Sequence, residues 1–333
     1  ADWTMEVAYA QSNLGNLESR KIPSDPQKVL AYHRMALEYN EKAAQQDERY
    51  ERELAESYAY LADAWLGVCN MDQASSNRQK NVELAAKYYR LNPSSNRLKL
   101  DYAYALVGLS GVHQDAGRLE PAMSNLQQSV ELQSELVDED PNNSFKRWNL
   151  VRSSVSQARL LEMAGRKDES WENSQAILSE IRKLAEQDQD IRLDHEIVFG
   201  KFLRDLASSA YERGDVALAD SLMAESIDRL TAIANKRTDS LIALNELVLT
   251  YFQYWDQHQS ELPDASAGTL LTRASEVSNY SSCMELDIAS RQAVMAGDSE
   301  KARQYVSSLI ERGYREAGFM RFCVKHELCP ATL

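Results

Sequence analysis

Apolar and small residues recur along this chain with a helical period that is interrupted at regular intervals. Between Leu106 and Pro141 the reading is plainest: Leu106, Leu109, Ser110, His113, Gly117, Ala122 and Leu126 are spaced as one helix, a tight turn and a second helix packed back on it. Ser110 and Ala122 are small enough to let the helices approach closely, Gly117 allows the positive φ that ends the first helix, and the leucines fill the seam. A lone hairpin leaves that seam half exposed, so neighbouring hairpins must stack.

The unit recurs. Turns within hairpins are predicted at Lys21, Cys69, Gly117, Gly165, Gly214 and the Glu261-Leu262-Pro263 loop, about 48 residues apart. Turns between hairpins are predicted midway, at Gln45, Pro93, Pro141, Gln189, Arg237 and Glu285. Tyr58-Ala59-Tyr60 and Tyr102-Ala103-Tyr104 suggest another register, but backbone geometry constrains Gly and Pro turns more tightly than it constrains a tyrosine pair.

This is the tetratricopeptide spacing, and the chain resembles that repeat class over essentially its whole length. The familiar unit has about 34 residues, and roughly seven more per helix lengthen the hairpin by almost two turns without rotating its buried face. The predicted fold is all-α: a right-handed tetratricopeptide-like superhelical solenoid of about seven hairpins, ending in a capping helix within EAGFMRFCVKHEL. One continuous domain over 1–333 is expected, with hairpins at about 3–46, 47–92, 93–140, 141–188, 189–236, 237–282 and 283–313 and the cap at 314–329. The last hairpin should be shorter, since Gly297 follows Glu285 closely. Within the others, helices are expected from Trp3 to Arg20, Val29 to Gln46, Trp148 to Ala164, Glu169 to Glu186, Phe199 to Arg213 and Val216 to Asn235, with Trp171 as a packing anchor. The sixth hairpin is read as Leu241 to Ser260 and Thr269 to Tyr280.

In this repeat class the first helix of each hairpin lines a concave surface. Taking Gly15, Ala62, Ser110, Ala158 and Ala207 as equivalent small positions, the residues six before, three before and one after should face the groove. They are Tyr9, Ser12 and Asn16; Glu56, Ala59 and Asp63; Tyr104, Val107 and Gly111; Arg152, Val155 and Arg159; Lys201, Arg204 and Ser208. Tyrosine and acid fall in the first three repeats, and four cations fall in the next two. Arg152, Arg159, Lys201 and Arg204 would suit a carboxylate or other anionic group on a protein or peptide partner, unless they pair with neighbouring acids instead. Leu14-Gly15-Asn16 resembles the start of a chaperone-binding carboxylate clamp, but Ser12 stands where the clamp needs lysine, and Asp63 where a further amide or cation would help.

Composition narrows the function classes. The 37 basic and 51 acidic residues give a net charge of −14, which disfavours direct nucleic-acid binding and otherwise serves solubility. No run of 18 apolar residues is present, and the start at Ala1 suggests a fragment or processed product. His195-Glu196 opens HEIVF and lacks the second histidine of a zinc motif, Gly108-Leu109-Ser110-Gly111 lies within a helix rather than after a strand, and no phosphate-cradling glycine loop occurs. The five histidines, at 33, 113, 195, 258 and 326, are scattered. No enzyme activity, metal or cofactor is therefore expected. Cys69, Cys283, Cys323 and Cys329 form no CxxC pair; Cys283 and Cys323 are candidates for a disulfide in an oxidising compartment, with buried thiols as the alternative.

EVAYAQSNLGNLE near the start and ASRQAVMAGDSEKARQYVSSLIERGYREAGFMRFCVKHELC near the end resemble the C-terminal repeat regions of large bacterial regulators. Those proteins join a winged-helix or serine/threonine kinase domain to such a region through one membrane helix. The resemblance implies a periplasm-facing sensory or docking module that binds protein or peptide, with no effector chemistry in these residues. A cytosolic scaffold for assembling complexes and a small anionic-ligand sensor with a pocket near Tyr104 and Arg159 are the other readings.

Overall fold

The computed structural model describes residues 2–21, 24–187, 192–237, 240–258, 267–277 and 282–330. Among these the regular structure is entirely helical. The first six helices are α1 (Asp2–Ser19), α2 (Pro26–Gln46), α3 (Glu51–Gly67), α4 (Met71–Leu91), α5 (Asn96–Asp115) and α6 (Leu119–Glu139). Then come α7 (Ser144–Met163), α8 (Lys167–Gln187), α9 (Leu193–Glu212), α10 (Val216–Lys236), α11 (Leu241–His258) and α12 (Ala267–Val277). The shorter α13 (Cys283–Met295), α14 (Ser299–Glu311) and α15 (Ala317–Lys325) end the chain, so the all-α helical-hairpin array expected from the spacing is the fold observed.

The predicted intra-hairpin turns are where the backbone turns. Cys69, Gly117, Gly165, Gly214 and Gly297 all have positive φ, from 56° to 82°. Each closes its helix with the same pair of hydrogen bonds: at Gly117, the Arg118 N–H donates to the His113 carbonyl at 2.8 Å and the Gly117 N–H to the Gln114 carbonyl at 2.9 Å. At the first such turn a cysteine occupies the left-handed position that glycine fills elsewhere. The second helix starts at once, and Asn70 and Asp215 cap α4 and α10 by accepting from the Gln73 and Leu218 N–H groups at 3.1 Å each. Between hairpins, Ser95 and Asn143 cap α5 and α7 after Pro93 and Pro141.

Several boundaries differ from those read in the sequence. Helices α2, α7 and α9 begin three to six residues earlier than Val29, Trp148 and Phe199. Glu285 is not a turn: it lies inside α13, buried, because α12 is shorter than its predecessors and the ladder loses its step there. The Glu261-Leu262-Pro263 loop, Gln189, Ser260 and Tyr280 lie outside the described residues.

The contacts group into two units. The first holds residues 1–141 with 279–283 and 308–321; the second holds 142–278, 284–307 and 322–333. In the first unit, α2 lays Val29 and Leu30 on Leu61 and Ala64 of α3. Polar groups inside the hairpins are matched in register: Asn81 donates to the Ala55 carbonyl at 2.7 Å, and Ser129, one repeat on, donates to the Ala103 carbonyl at 2.9 Å. Residues 308–321 lie against the hairpin turns, with the Arg315 N–H donating to the Asp115 carbonyl at 2.8 Å. Cys283 is disulfide-bonded to Cys69, their Cα atoms 5.0 Å apart.

In the second unit a continuous core runs from Trp148 through Phe199, Phe202, Leu230 and Tyr251, and Trp171 packs against it beneath the Arg213 guanidinium. Ser226 donates to the Gly200 carbonyl at 2.7 Å, the same bond as in the first unit. Phe322 of α15 meets Phe252 edge-on at 5.3 Å, as expected of a capping helix. Cys323 bonds to Cys329. The pairing of Cys283 with Cys323 is thus corrected. Three of the cysteines are close in sequence, but the fold brings Cys283 to Cys69 and leaves Cys323 its near neighbour.

Candidate functional site

In the first unit the positions expected to face a groove on α1, α3 and α5 carry tyrosine and carboxylate side chains. Tyr9 is 48% exposed and Tyr104 40%, and Glu56, Asp63 and Gly111 are exposed while Ser12, Asn16, Ala59 and Val107 are half-buried. The helices are cross-linked by polar side chains at this face. The Tyr9 hydroxyl reaches Glu53 of α3, and burial together with that carboxylate raises its pKa. Tyr60 of α3 donates to Glu56 at 2.8 Å and bonds to Asn16 of α1, while its ring stacks on His33 at 5.4 Å. Partial burial raises the Asp63 pKa against the pull of Arg78, which forms an ion pair with it from α4. Arg52 spans from α3 to Asp101 of α5 at 3.0 Å. The result is a polar strip with aromatic faces open to solvent and carboxylates held in place beside them.

Gly15 has a steric task here. A Cβ at that position would lie 2.6 Å from Nε2 of His33, so the glycine lets α2 seat its imidazole against α1. Burial lowers the pKa of His33, which favours the neutral imidazole.

In the second unit the cation set reads differently from expectation. Arg204 is 4% exposed and its guanidinium sits 2.7 Å from Glu246, itself 4% exposed, on α11. Lys201 lies 3.5 Å from the other oxygen of Glu246, and Arg204 also reaches Asp205 at 3.2 Å. Burial alone would raise the Glu246 pKa, but Lys201, Arg204 and Arg159 outweigh it and bring it down to about 2. Gln253 donates to the Arg204 carbonyl at 3.0 Å and helps fix this stretch of α9. Arg204 and Lys201 are therefore tied to a neighbouring repeat, which corrects their assignment as open partner contacts. Val155 is core. Arg159 and Ser208 are half-buried, and Arg152 is exposed.

Glu246 is the residue the groove rule missed. Its signal was the single charged residue in the mostly apolar run LIALNELVLTYF, where a buried counter-charge makes a carboxylate tolerable. No cluster of metal-ligating side chains occurs among the described residues. A cleft of about 550 Å3 in the first unit is lined by Val68 to Asp72, Ala116, Arg118 and Glu311 to Gly313, and includes neither Tyr104 nor Arg159.

No family model and no curated protein sequence matches the chain. Similarity to solved structures is extensive in coverage and low in identity. BtubC from P. vanneervenii is 14% identical, with a TM-score of 0.50 over 82% of this chain and 93% of its own. NprR in complex with its cognate peptide NprX is 11% identical, with a TM-score of 0.50 over 86% of this chain and 77% of its own. A tetratricopeptide repeat protein from Parabacteroides merdae aligns over 98% of both chains at 11% identity and a TM-score of 0.48. At such identities the likeness speaks to the fold, and with the left-handed turns and matched helix pairs it shows a tetratricopeptide-like helical repeat.

Proposed function

We propose that this chain is a noncatalytic protein- or peptide-binding module whose partner lies on the strip formed by Tyr9, Glu56, Asp63 and Tyr104. The exposure of Tyr104, and of Tyr9 beside the Glu53 and Glu56 carboxylates, carries this reading, because aromatic faces with polar neighbours are the usual anchors of recognition surfaces. The acids favour a partner that presents Lys, Arg or backbone N–H groups. NprR, which shares the fold, holds a peptide, and fold analogy makes peptides the first class to test.

The four cysteines, paired as Cys69 with Cys283 and Cys323 with Cys329, support an oxidising compartment. Together with the resemblance at both ends of the chain, this favours the sensory or docking region of a membrane-anchored bacterial regulator, facing the periplasm, over a cytosolic scaffold. A second reading, an anionic partner group at Arg152, is favoured by the exposure of that cation on α7.

The test is capture of periplasmic peptides and proteins with the chain as bait, followed by calorimetry on what is captured. Replacing Tyr9 and Tyr104 together by Ala should weaken binding at least tenfold at unchanged Tm. Affinity that survives this change but falls with Arg152→Glu would move the site to the second unit.

A further inference from the structure

The Cys69 to Cys283 disulfide lies closed in at the hairpin turns of the first unit. Cys69 is 2% exposed and Cys283 4%. The returning segment 308–321 belongs to the same unit and meets those turns. Its Arg315 N–H donates to the Asp115 carbonyl at 2.8 Å, and a Cβ on Gly117 would lie 2.8 Å from the Arg315 carbonyl oxygen, so the backbone of the segment rests directly on the Gly117 turn. The Arg315 guanidinium braces the bend by donating to the Ile310 and Tyr314 carbonyls at 2.8 and 2.9 Å.

At the neighbouring turn, contact gives way to space. The cleft of about 550 Å3 is lined by Val68 to Asp72 and by Glu311 to Gly313, so Cys69 borders it and Cys283 does not. One short segment thus touches the Gly117 turn and stands off from the Cys69 turn. Cys69 also holds a left-handed φ of 56°, a conformation costly to a residue with a Cβ, and the bond to Cys283 helps to keep it there.

We propose that residues 311–315 are a lid over this disulfide, and that the cleft beneath them is a thiol–disulfide exchange site for a small thiol. When the lid lifts from Gly117, a thiolate entering the cleft attacks Sγ of Cys69, the cysteine that borders it. A new S–S bond joins the entering thiol to Cys69, the bond to Cys283 breaks with its electron pair leaving on Cys283, and solvent protonates that thiolate. A second thiol then attacks the mixed disulfide and departs with the first as their symmetric disulfide, leaving Cys69 reduced. Two thiols are oxidised for each protein disulfide reduced. Exchange is governed by the lid because both sulfurs are otherwise buried, and local opening of one segment requires far less than opening of the core.

The test treats the whole oxidised chain with glutathione, quenches with iodoacetamide and reads each cysteine by peptide mass spectrometry. A transient glutathione adduct on Cys69 with alkylated Cys283 is expected. Gly117→Ala, whose methyl group would push Arg315 away, should speed loss of the bond at least tenfold. Gly165→Ala is the control: it puts the same side chain at a left-handed turn, meets nothing within 4 Å, and should leave the rate near that of the wild type. Equal acceleration in both variants, or none in Gly117→Ala, overturns the lid, and an adduct on Cys283 with alkylated Cys69 overturns the route through the cleft. If Gly117→Ala loses its folded circular dichroism, the wild type decides: reduction should level off with rising glutathione at the opening rate of the Arg315 amide in hydrogen exchange, and a rate that exceeds it overturns the proposal.

Discussion

Arg204 and Glu246 face each other at 2.7 Å, each 4% exposed, on the first helices of successive hairpins. A pair so placed is held by its own neutrality. Removing the carboxylate, as in Glu246→Ala, leaves a buried guanidinium uncompensated and should cost about 3–5 kcal/mol, read as a fall in the denaturant midpoint. Replacing both, with Arg204→Met and Glu246→Leu, should restore most of that loss.

The same pair makes stability depend on acid. The Glu246 pKa falls from its ordinary 4.5 to about 2 on folding, so its contribution is fully present above pH 4.5 and is lost as pH falls toward 2. Urea midpoints of the wild type should drop through this window, and the doubly replaced variant should show a shallower drop. Equal slopes in the two proteins would count against the pairing.

The cysteines give a sharper test. Under denaturation without reductant no thiol should titrate, and four should appear after reduction. Replacing Cys69 and Cys283 opens a loop closed over a sequence separation of 214 residues, a loss of up to about 5 kcal/mol on chain-entropy grounds. Against Cys283→Ser, Cys69→Gly should be more stable than Cys69→Ser by about 1 kcal/mol, because φ is 56° at this position.

Two glycines should respond in opposite directions. Gly15→Ala forces a methyl group against the His33 ring and should lower stability by about 1–3 kcal/mol. Gly111→Ala in α5 meets nothing within 4 Å and should raise it by up to about 1 kcal/mol through helix propensity. Thermal melts of the two variants on one plate suffice.

What could be read from the sequence follows from where the determinants sit. The turns at Gly117, Gly165 and Gly214 were legible because a left-handed residue is costly with a side chain, and the spacing extended that reading to Cys69. The partner of Cys69 was not legible, since it is set by the return of the chain near residue 283 and not by any local pattern. The sixth hairpin escaped the ladder because α12 has only 11 residues, so a count made at constant step overran into α13. At the candidate site, residue type and helical phase gave the tyrosine strip. They could not tell an open cation from Arg204, whose counter-ion belongs to the next repeat.

The Cys69 to Cys283 bond also fixes how the molecule comes apart. Any single protease cut between those two residues leaves both products covalently tethered, so a nicked chain still migrates as one band until thiol reductant is added. A module exposed to a protease-rich environment would then keep its two ends together after damage that would release half of an unlinked chain.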